Sequence, residues 1–294
     1  MSESDQTRLE ETRTTVAVCM TCGGRGVLRN TELGPGRPHG TIDPCPACVQ
    51  QFCGCDGTPP YQRFDENRRM LWCACAPWRK RAQRTDSWLS HTGAEEKFKW
   101  TFLEDFQDVA ADRGHTTSNN GGYFRSVVRG MLEYVQEGDE PQEGLLFWGK
   151  PGCGKSLLAS IALNELIIRQ GNPGLFLNLG QHFQSLRDTF SQSGATYGQS
   201  REIMDALAAI PLLVIDELGA SRDTEWEQEM LYHLINRRYE AHRLTLVTMN
   251  KDPGSYLDDL SLGRIASRLH EMCDFHEVTL PDWRRRPRAG RQAV

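Results

Sequence analysis

The chain has 294 residues, 38% of them hydrophobic, which is enough to build a core, while 27 glycines leave room for much loop or linker. Its formal charge of −5 argues against a broadly basic surface, so any nucleic-acid contact must be local. No apolar run approaches a membrane span, Met1-Ser2-Glu3-Ser4-Asp5 lacks a basic-then-apolar signal, and ten cysteines without one point to metal or redox chemistry; the expectation is a soluble cytoplasmic protein with no membrane role.

Residues 1–80 read as a cysteine-rich unit. Eight cysteines fall there in four pairs, Cys19/Cys22, Cys45/Cys48, Cys53/Cys55 and Cys73/Cys75, in a context poor in apolar periodicity and rich in Gly and Pro. Such a segment cannot bury enough surface to fold alone, so a metal must supply the missing stability. Two Cys-x-x-Cys turns place four thiolates about one Zn²⁺, and Cys19-Met20-Thr21-Cys22 with Cys45-Pro46-Ala47-Cys48 fits that description, a zinc ribbon. The glycines after Cys22 resemble the cysteine-rich repeats of DnaJ-type chaperones, over eight residues. Cys53-Gly54-Cys55 and Cys73-Ala74-Cys75 either form a second zinc site or exchange partners with the first two pairs, so one zinc and two both remain open. An iron–sulfur cluster and free thiols are the other readings of the eight, and His39 is a further candidate ligand.

Residues 81–118 read as a linker. At its edge Trp78-Arg79-Lys80-Arg81 is a short basic stretch with an aromatic neighbour, suited either to backbone phosphates and stacked bases or to a solvated connector. Lys97 to Phe102 alternates like an edge strand. Beyond the turn-rich Thr117–Gly122, the residues Tyr123, Phe124, Val127, Val128, Met131, Leu132 and Val135 recur at helical spacing.

Residues 119–294 read as the catalytic unit. Apolar Leu145–Trp148 predicts a buried strand, Leu157–Gln170 a helix, and between them stands Gly149-Lys150-Pro151-Gly152-Cys153-Gly154-Lys155-Ser156, a complete phosphate-binding loop. Its glycines let successive N–H groups and the helix N-terminus face a polyphosphate. Lys155 can then reach the β- and γ-phosphates of ATP, and Ser156 can ligate Mg²⁺. Strands and helices alternate from here: strand Leu175–Leu179, helix Gln181–Phe190, strand Leu212–Ile215 ending in Asp216-Glu217, helix Thr224–His242, strand Leu244–Thr248. Acids at the end of a buried strand lie beside the loop after the first strand. Asp216 would complete the Mg²⁺ shell, Glu217 would orient and deprotonate the attacking water, and the Asn250 amide could hold that water. Cys153 takes a variable loop position, and Cys273 reads as a small core residue.

Leu212–Ala220, Trp226–Tyr239 and Gly263-Arg264-Ile265-Ala266-Ser267-Arg268-Leu269 together resemble the DnaC/DnaI/IstB group of AAA+ ATPases, from about Asn119 to Arg284. The resemblance implies an α/β fold, a P-loop NTPase parallel sheet of AAA+ type flanked by helices and preceded here by the small zinc-ribbon-like domain. It implies that Asn250 is the sensor-1 residue and that Arg268, with Arg264 beside it, is an arginine finger supplied to a neighbouring subunit of an ATP-dependent homo-oligomer. Members load replicative helicases onto DNA or assist transposases. The resemblance therefore implies a loader whose zinc module grips the helicase and whose ring contacts single-stranded DNA. An IstB-like transposition helper and a nucleotide-dependent chaperone or adaptor without a DNA role stay beside it. The usual lid domain with its sensor-2 arginine is not evident. The arginine-rich tail from Trp283 to Arg291 is either a solvated end or a phosphate-contacting arm.

Overall fold

The computed structural model describes residues 19–32, 39–50, 53–106, 120–136, 143–185, 197–219, 224–254 and 263–282. The arginine-rich tail and the second half of the helix expected at Gln181–Phe190 lie outside them; residues 179–185 are helical. The cysteine-rich part holds two antiparallel ribbons, β1 (Val27–Asn30) with β2 (Thr41–Pro44), and β3 (Gln62–Phe64) with β4 (Met70–Trp72). A short helix α1 (Pro46–Gln50) lies between the ribbons, and α2 (Ala76–Ser90) leads away from them. The remainder is α3 (Asn120–Gln136), β5 (Gly144–Trp148), α4 (Lys155–Gln170), β6 (Gly174–Asn178), α5 (Tyr197–Ala209), β7 (Leu212–Leu218), α6 (Glu225–Glu240), β8 (Thr245–Met249), α7 (Gly263–Met272) and β9 (Cys273–Glu277).

β5 to β9 form one parallel sheet in the order β6-β7-β8-β5-β9. Helices cover both faces, so the strands are apolar along nearly their whole length. Successive side chains of a strand alternate between two cores: Leu145 and Phe147 join α3 and α4 on one face, and Leu146 joins α5, α6 and α7 on the other. On α3 the expected apolar face is buried at Phe124, Val128, Met131 and Leu132, whereas Tyr123 is half exposed and shares a hydrogen bond with His276 Nδ1 at 2.9 Å. Burial lowers the His276 pKa. Thr224 caps α6 through a reciprocal box, its Oγ1 accepting from the Glu227 N–H while the Glu227 carboxylate accepts from the Thr224 N–H.

The two parts of the chain do not have separate cores. Val27 and Ile42 of the first ribbon pack in the same apolar cluster as Ala82 and Leu89 of α2, Trp100, Phe102 and the buried side of α4. Lys97–Phe102 is not a strand. Residues 96–100 form turns, with the N–H groups of Phe98 and Lys99 both donating to the Glu95 carbonyl. Three buried polar side chains of α4 satisfy this backbone instead of a sheet ladder: Ser160 donates to Phe98 O, Asn164 to Thr101 O, and Glu165 accepts from the Leu103 N–H, at 2.9, 2.9 and 3.0 Å. The turn buries Trp100 and Phe102, and Thr92 O rather than this segment takes the Phe176 N–H beside β6.

Arg238 on α6 is fully buried, and its described partners are neutral oxygens. Its guanidinium donates to the carbonyls of Leu207 and Ala208 at the end of α5, to Ile210 and Pro211 after it, and to Leu244 and Thr245 Oγ1 at the start of β8. Burial pushes its pKa down to about 9, with Arg243 adding repulsion, so it is still a cation at neutral pH. One side chain thereby serves helix-end carbonyls that have no partner within the helix. Arg238→Met should lower the unfolding free energy by about 3 kcal/mol or more, since several buried acceptors lose their donor at about 1–3 kcal/mol each. Urea unfolding checks this, and a loss below about 1 kcal/mol would mean that water replaces the guanidinium.

Candidate nucleotide site and cysteine clusters

The nucleotide site lies at the carboxyl ends of β5, β8 and β7, where parallel sheets bind ligands. The loop Gly149–Ser156 leaves β5 and opens α4. Gly149 has φ +141°, and a Cβ there would stand 2.5 Å from Val278 O, so only glycine lets the loop pass the chain leaving β9. Gly152 and Gly154 also have positive φ, Cys153 is buried, and Pro151 is exposed at the tip. Lys155 is buried and folded back on its own loop, donating to the carbonyls of Gly149 and Lys150 at 2.9 Å each, with Cys153 Sγ at 3.7 Å. These contacts hold the cation over the cradle that a polyphosphate would enter.

Asp216 and Glu217 are adjacent, and regular strand alternation would send them to opposite faces. A bulge prevents this. Ile215 pairs with Val247 and Leu218 with Met249, so two residues of β7 oppose Thr248 alone, and Glu217 has φ +61°. The buried Asp216 accepts from Ser156 Oγ at 2.8 Å and from Thr248 Oγ1 at 2.6 Å. Burial raises its pKa, the two hydroxyls oppose that shift, and Glu217 adds to it. The exposed Glu217 donates its backbone N–H to Thr248 Oγ1 at 3.0 Å, and its carboxylate accepts from Asn178 Nδ2 at 3.1 Å. The Ser156 hydroxyl and Asp216 carboxylate form an all-oxygen donor pair suited to a hard divalent cation.

Thr248 and Asn178 are missing from the sequence reading. The signal for both was positional: each stands at or next to the last residue of a predicted parallel strand, where site residues of such sheets gather. Asn250 follows β8 and is exposed. Arg264 and Arg268 stand elsewhere, on α7 against α6. Arg268 donates to Asn236 Oδ1 at 2.7 Å, to Arg264 O and to Tyr232 OH, and its guanidinium lies over the rings of Tyr232 and Tyr239. Its i+3 neighbour Glu271 accepts instead from Tyr239 OH at 2.6 Å. Among the described residues neither arginine bonds to the phosphate loop, Asp216 or Glu217.

The eight cysteines form two clusters, Cys19/Cys22/Cys45/Cys48 at the base of the first ribbon and Cys53/Cys55/Cys73/Cys75 at the base of the second. Each pairing stays within its own four, so partner exchange does not occur. Sulfur–sulfur separations of 3.8 and 3.7 Å in the first cluster and 3.8 and 3.5 Å in the second match the edge of a tetrahedron whose centre is about 2.3 Å from each thiolate, an edge of about 3.8 Å. A multi-iron cluster, with each thiolate on a different iron, would hold them farther apart. His39 is not a fifth donor, since its described partner is Glu96, at 3.3 Å. The thiols already differ: Cys19 is lowered to about 6 by the Cys22 backbone N–H, and burial raises Cys75 to about 12. Cys75 is also the N-cap of α2, and Trp78 one turn on packs against Gly26, which joins the two clusters.

The chain is similar to known proteins in family, in sequence and in fold. The replicative helicase loader DnaC of Escherichia coli K12 is 32% identical over 120 residues, 41% of this chain and 47% of that protein. DnaC of Buchnera aphidicola from Acyrthosiphon pisum is 29% identical over 128 residues, 44% and 51%. The chain thus spans about half the length of the curated relatives it matches. The crystal structure of DnaI superposes with a TM-score of 0.51 at 19% identity, over 66% of this chain and 98% of that one, which shows a shared fold. The model of the IstB-like ATP binding protein family matches residues 131–288, more than half of the chain, and that span holds the phosphate loop, Asp216-Glu217 and both α7 arginines. The chain belongs to the IstB-like ATP-binding family.

Proposed function

We propose that this protein is an ATP-hydrolysing helicase loader of the DnaC kind, acting in DNA replication. The 32% identity to DnaC is the observation that carries the reading. In it, Lys155 exchanges the carbonyls of Gly149 and Lys150 for the β- and γ-phosphates, while the loop N–H groups and the α4 N-terminus take the remaining phosphate oxygens. Mg²⁺, held by Ser156 and Asp216, would neutralise phosphate charge when bound. Glu217 orients and deprotonates the attacking water, and the Asn178 amide restrains that carboxylate until substrate arrives. Thr248 fixes the spacing of Asp216 and Glu217, and Asn250 steadies the water. Arg268, with Arg264, faces a neighbouring subunit of a homo-oligomer; docking on Asn236 and two tyrosines would keep it extended at the α7 surface.

Each cysteine cluster would hold one structural zinc, in a reducing compartment such as the cytoplasm. Residues 1–80 would form the partner-docking unit and 119–294 the ATPase, with α2 and the turns to Phe106 strapping one to the other. The replicative helicase is the partner this reading names, with single-stranded DNA as the second contact. A transposition helper acting with a transposase is favoured instead only by the name of the matching family.

Lys155→Ala should abolish ATP binding, and Glu217→Gln should bind ATP but hydrolyse it about 10²–10⁴-fold more slowly, as general-base contributions run. Unchanged turnover in Glu217→Gln would assign water activation to another residue. If Arg268 acts in trans, turnover per chain rises with protein concentration, and Arg268→Ala loses that rise while still binding ATP. Mixing Arg268→Ala with Lys155→Ala then restores activity; strict proportionality to concentration and no rescue would remove the trans role.

Elemental analysis should find two zinc ions per chain, one lost in Cys22→Ser and the other in Cys75→Ser. Because Cys75 stands at the start of α2, which shares its core with α4, losing the metal at Cys75 should also lower the melting temperature of ATP-bound protein. A metal-free protein with a protease-resistant first half would overturn the zinc reading.

A further inference from the structure

Between residues 61 and 84 the chain carries seven Lys and Arg against two Asp and Glu, a formal +5 inside a chain of formal −5. The aromatic stretch at Trp78–Arg81 does not present this charge to solvent as a unit. Trp78 is buried against Gly26, and Arg81 donates to the last carbonyls of α4, Ile168 and Arg169. The exposed aromatic surface is supplied by the β3–β4 ribbon, where Phe64, Met70, Leu71 and Trp72 are 70, 60, 43 and 56% exposed. Cross-strand pairing of Phe64 with Met70 and of Gln62 with Trp72 puts Phe64, Met70 and Trp72 on one face.

Cations surround the ribbon, with Arg63 opposite Leu71 on its other face. Lys80 Nζ sits 4.0 Å from the centre of the Trp72 ring, and Arg63, Arg68 and Arg69 are exposed at the strand and turn. Among the described residues no carboxylate lies within ion-pair distance of these four. The nearby Asp65 is spent on the turn, accepting the N–H groups of Asn67 and Arg69 at 2.9 and 2.7 Å. The ribbon is pre-organised, because the Cys53/Cys55/Cys73/Cys75 cluster closes its base and the Cys73 N–H donates to Tyr61 O at 2.8 Å. A contiguous exposed apolar face of this kind marks an interaction surface.

We propose that the β3–β4 ribbon, with Lys80, binds single-stranded nucleic acid, bases stacking on Phe64 and Trp72 and phosphates lying along Arg68, Arg69 and Lys80. Stacking on exposed rings needs unpaired bases, and the uncompensated positive charge complements a phosphate chain. A purely apolar protein contact would leave that charge without a partner. This assignment rests on the loader reading in one respect, the single-stranded DNA contact named there, which it places on the β3–β4 ribbon; ATP turnover, which needs the phosphate loop, is read separately.

The test is fluorescence anisotropy of the full chain without nucleotide, using labelled oligo-dT, oligo-U and a duplex of equal length across a salt series. Phe64→Ala/Trp72→Ala should weaken oligonucleotide binding about 10-fold or more, as loss of stacking does. Arg68→Gln/Arg69→Gln should reduce the slope of log K against log salt by about 1.4, from two lost phosphate contacts at about 0.7 each. Melting temperature, zinc content and ATP turnover should be unchanged in both, since the altered side chains are exposed. A preference for dT or for U supports the proposal and names the nucleic acid. No wild-type binding, wild-type affinity in both variants, equal affinity for duplex, or variants that lose only a protein partner would each overturn it.

Discussion

Helix α4 is buried almost all the way round, and the rest of the molecule is arranged to satisfy it. Twelve of its sixteen residues are buried, so a surface helix's polar face is not available. Its apolar side chains fill the core against β5, β7 and β8, while Ser160, Asn164 and Glu165 take the backbone of residues 98–103. At its end Arg81 takes the carbonyls of Ile168 and Arg169, which have no partner within the helix. Its N-terminus, facing the open phosphate loop, is left for an anion. A helix so enclosed places that anion site rigidly at the carboxyl end of the sheet, and it also ties α2, and with it the cysteine clusters, to the core around the nucleotide site.

The same economy governs the carboxylates. Asp216 is desolvated beside a second acid, a costly arrangement that Ser156 and Thr248 ease with two hydrogen bonds. The bulge in β7 is what allows both acids to serve one site, since without it Glu217 would face away from Asp216. Thr248 spans the bulge by donating to Asp216 and accepting from the Glu217 N–H. Residues in left-handed backbone such as Glu217 at φ +61° are held there by their surroundings, and this one is held at the mouth of the nucleotide site.

The cysteine-rich part follows a different rule. It has little apolar surface of its own, and its small buried cluster consists of five thiols, Val49 and Trp78. The clusters therefore replace a core, and freed of that duty the second ribbon can expose large apolar side chains that a conventional small domain would bury.

Local chemistry made much of this protein legible in its sequence. The phosphate loop was readable because glycine spacing and a terminal Lys-Ser are dictated by contact with phosphate, and those contacts are local to eight residues. The alternation of apolar runs gave the parallel sheet because burial on both faces demands it. The cysteine pairs announced metal sites, since a turn of two to four residues suffices to bring two thiolates together. What tertiary structure alone decided involves residues far apart in the chain. Thr248 and Asn178 join the site only through the lateral order of strands, which no local pattern encodes. The assignment of four cysteine pairs to two clusters depends on which ribbon closes on which. Lys97–Phe102 has the alternation of a strand, yet α4 offers its backbone better partners and its aromatic rings a core, so it turns. Arg238 looks like any helix-end charge until the end of α5 and the start of β8 converge on it. In each case the deciding energy is a hydrogen bond or buried contact between segments distant in sequence, which exists only once the chain has folded.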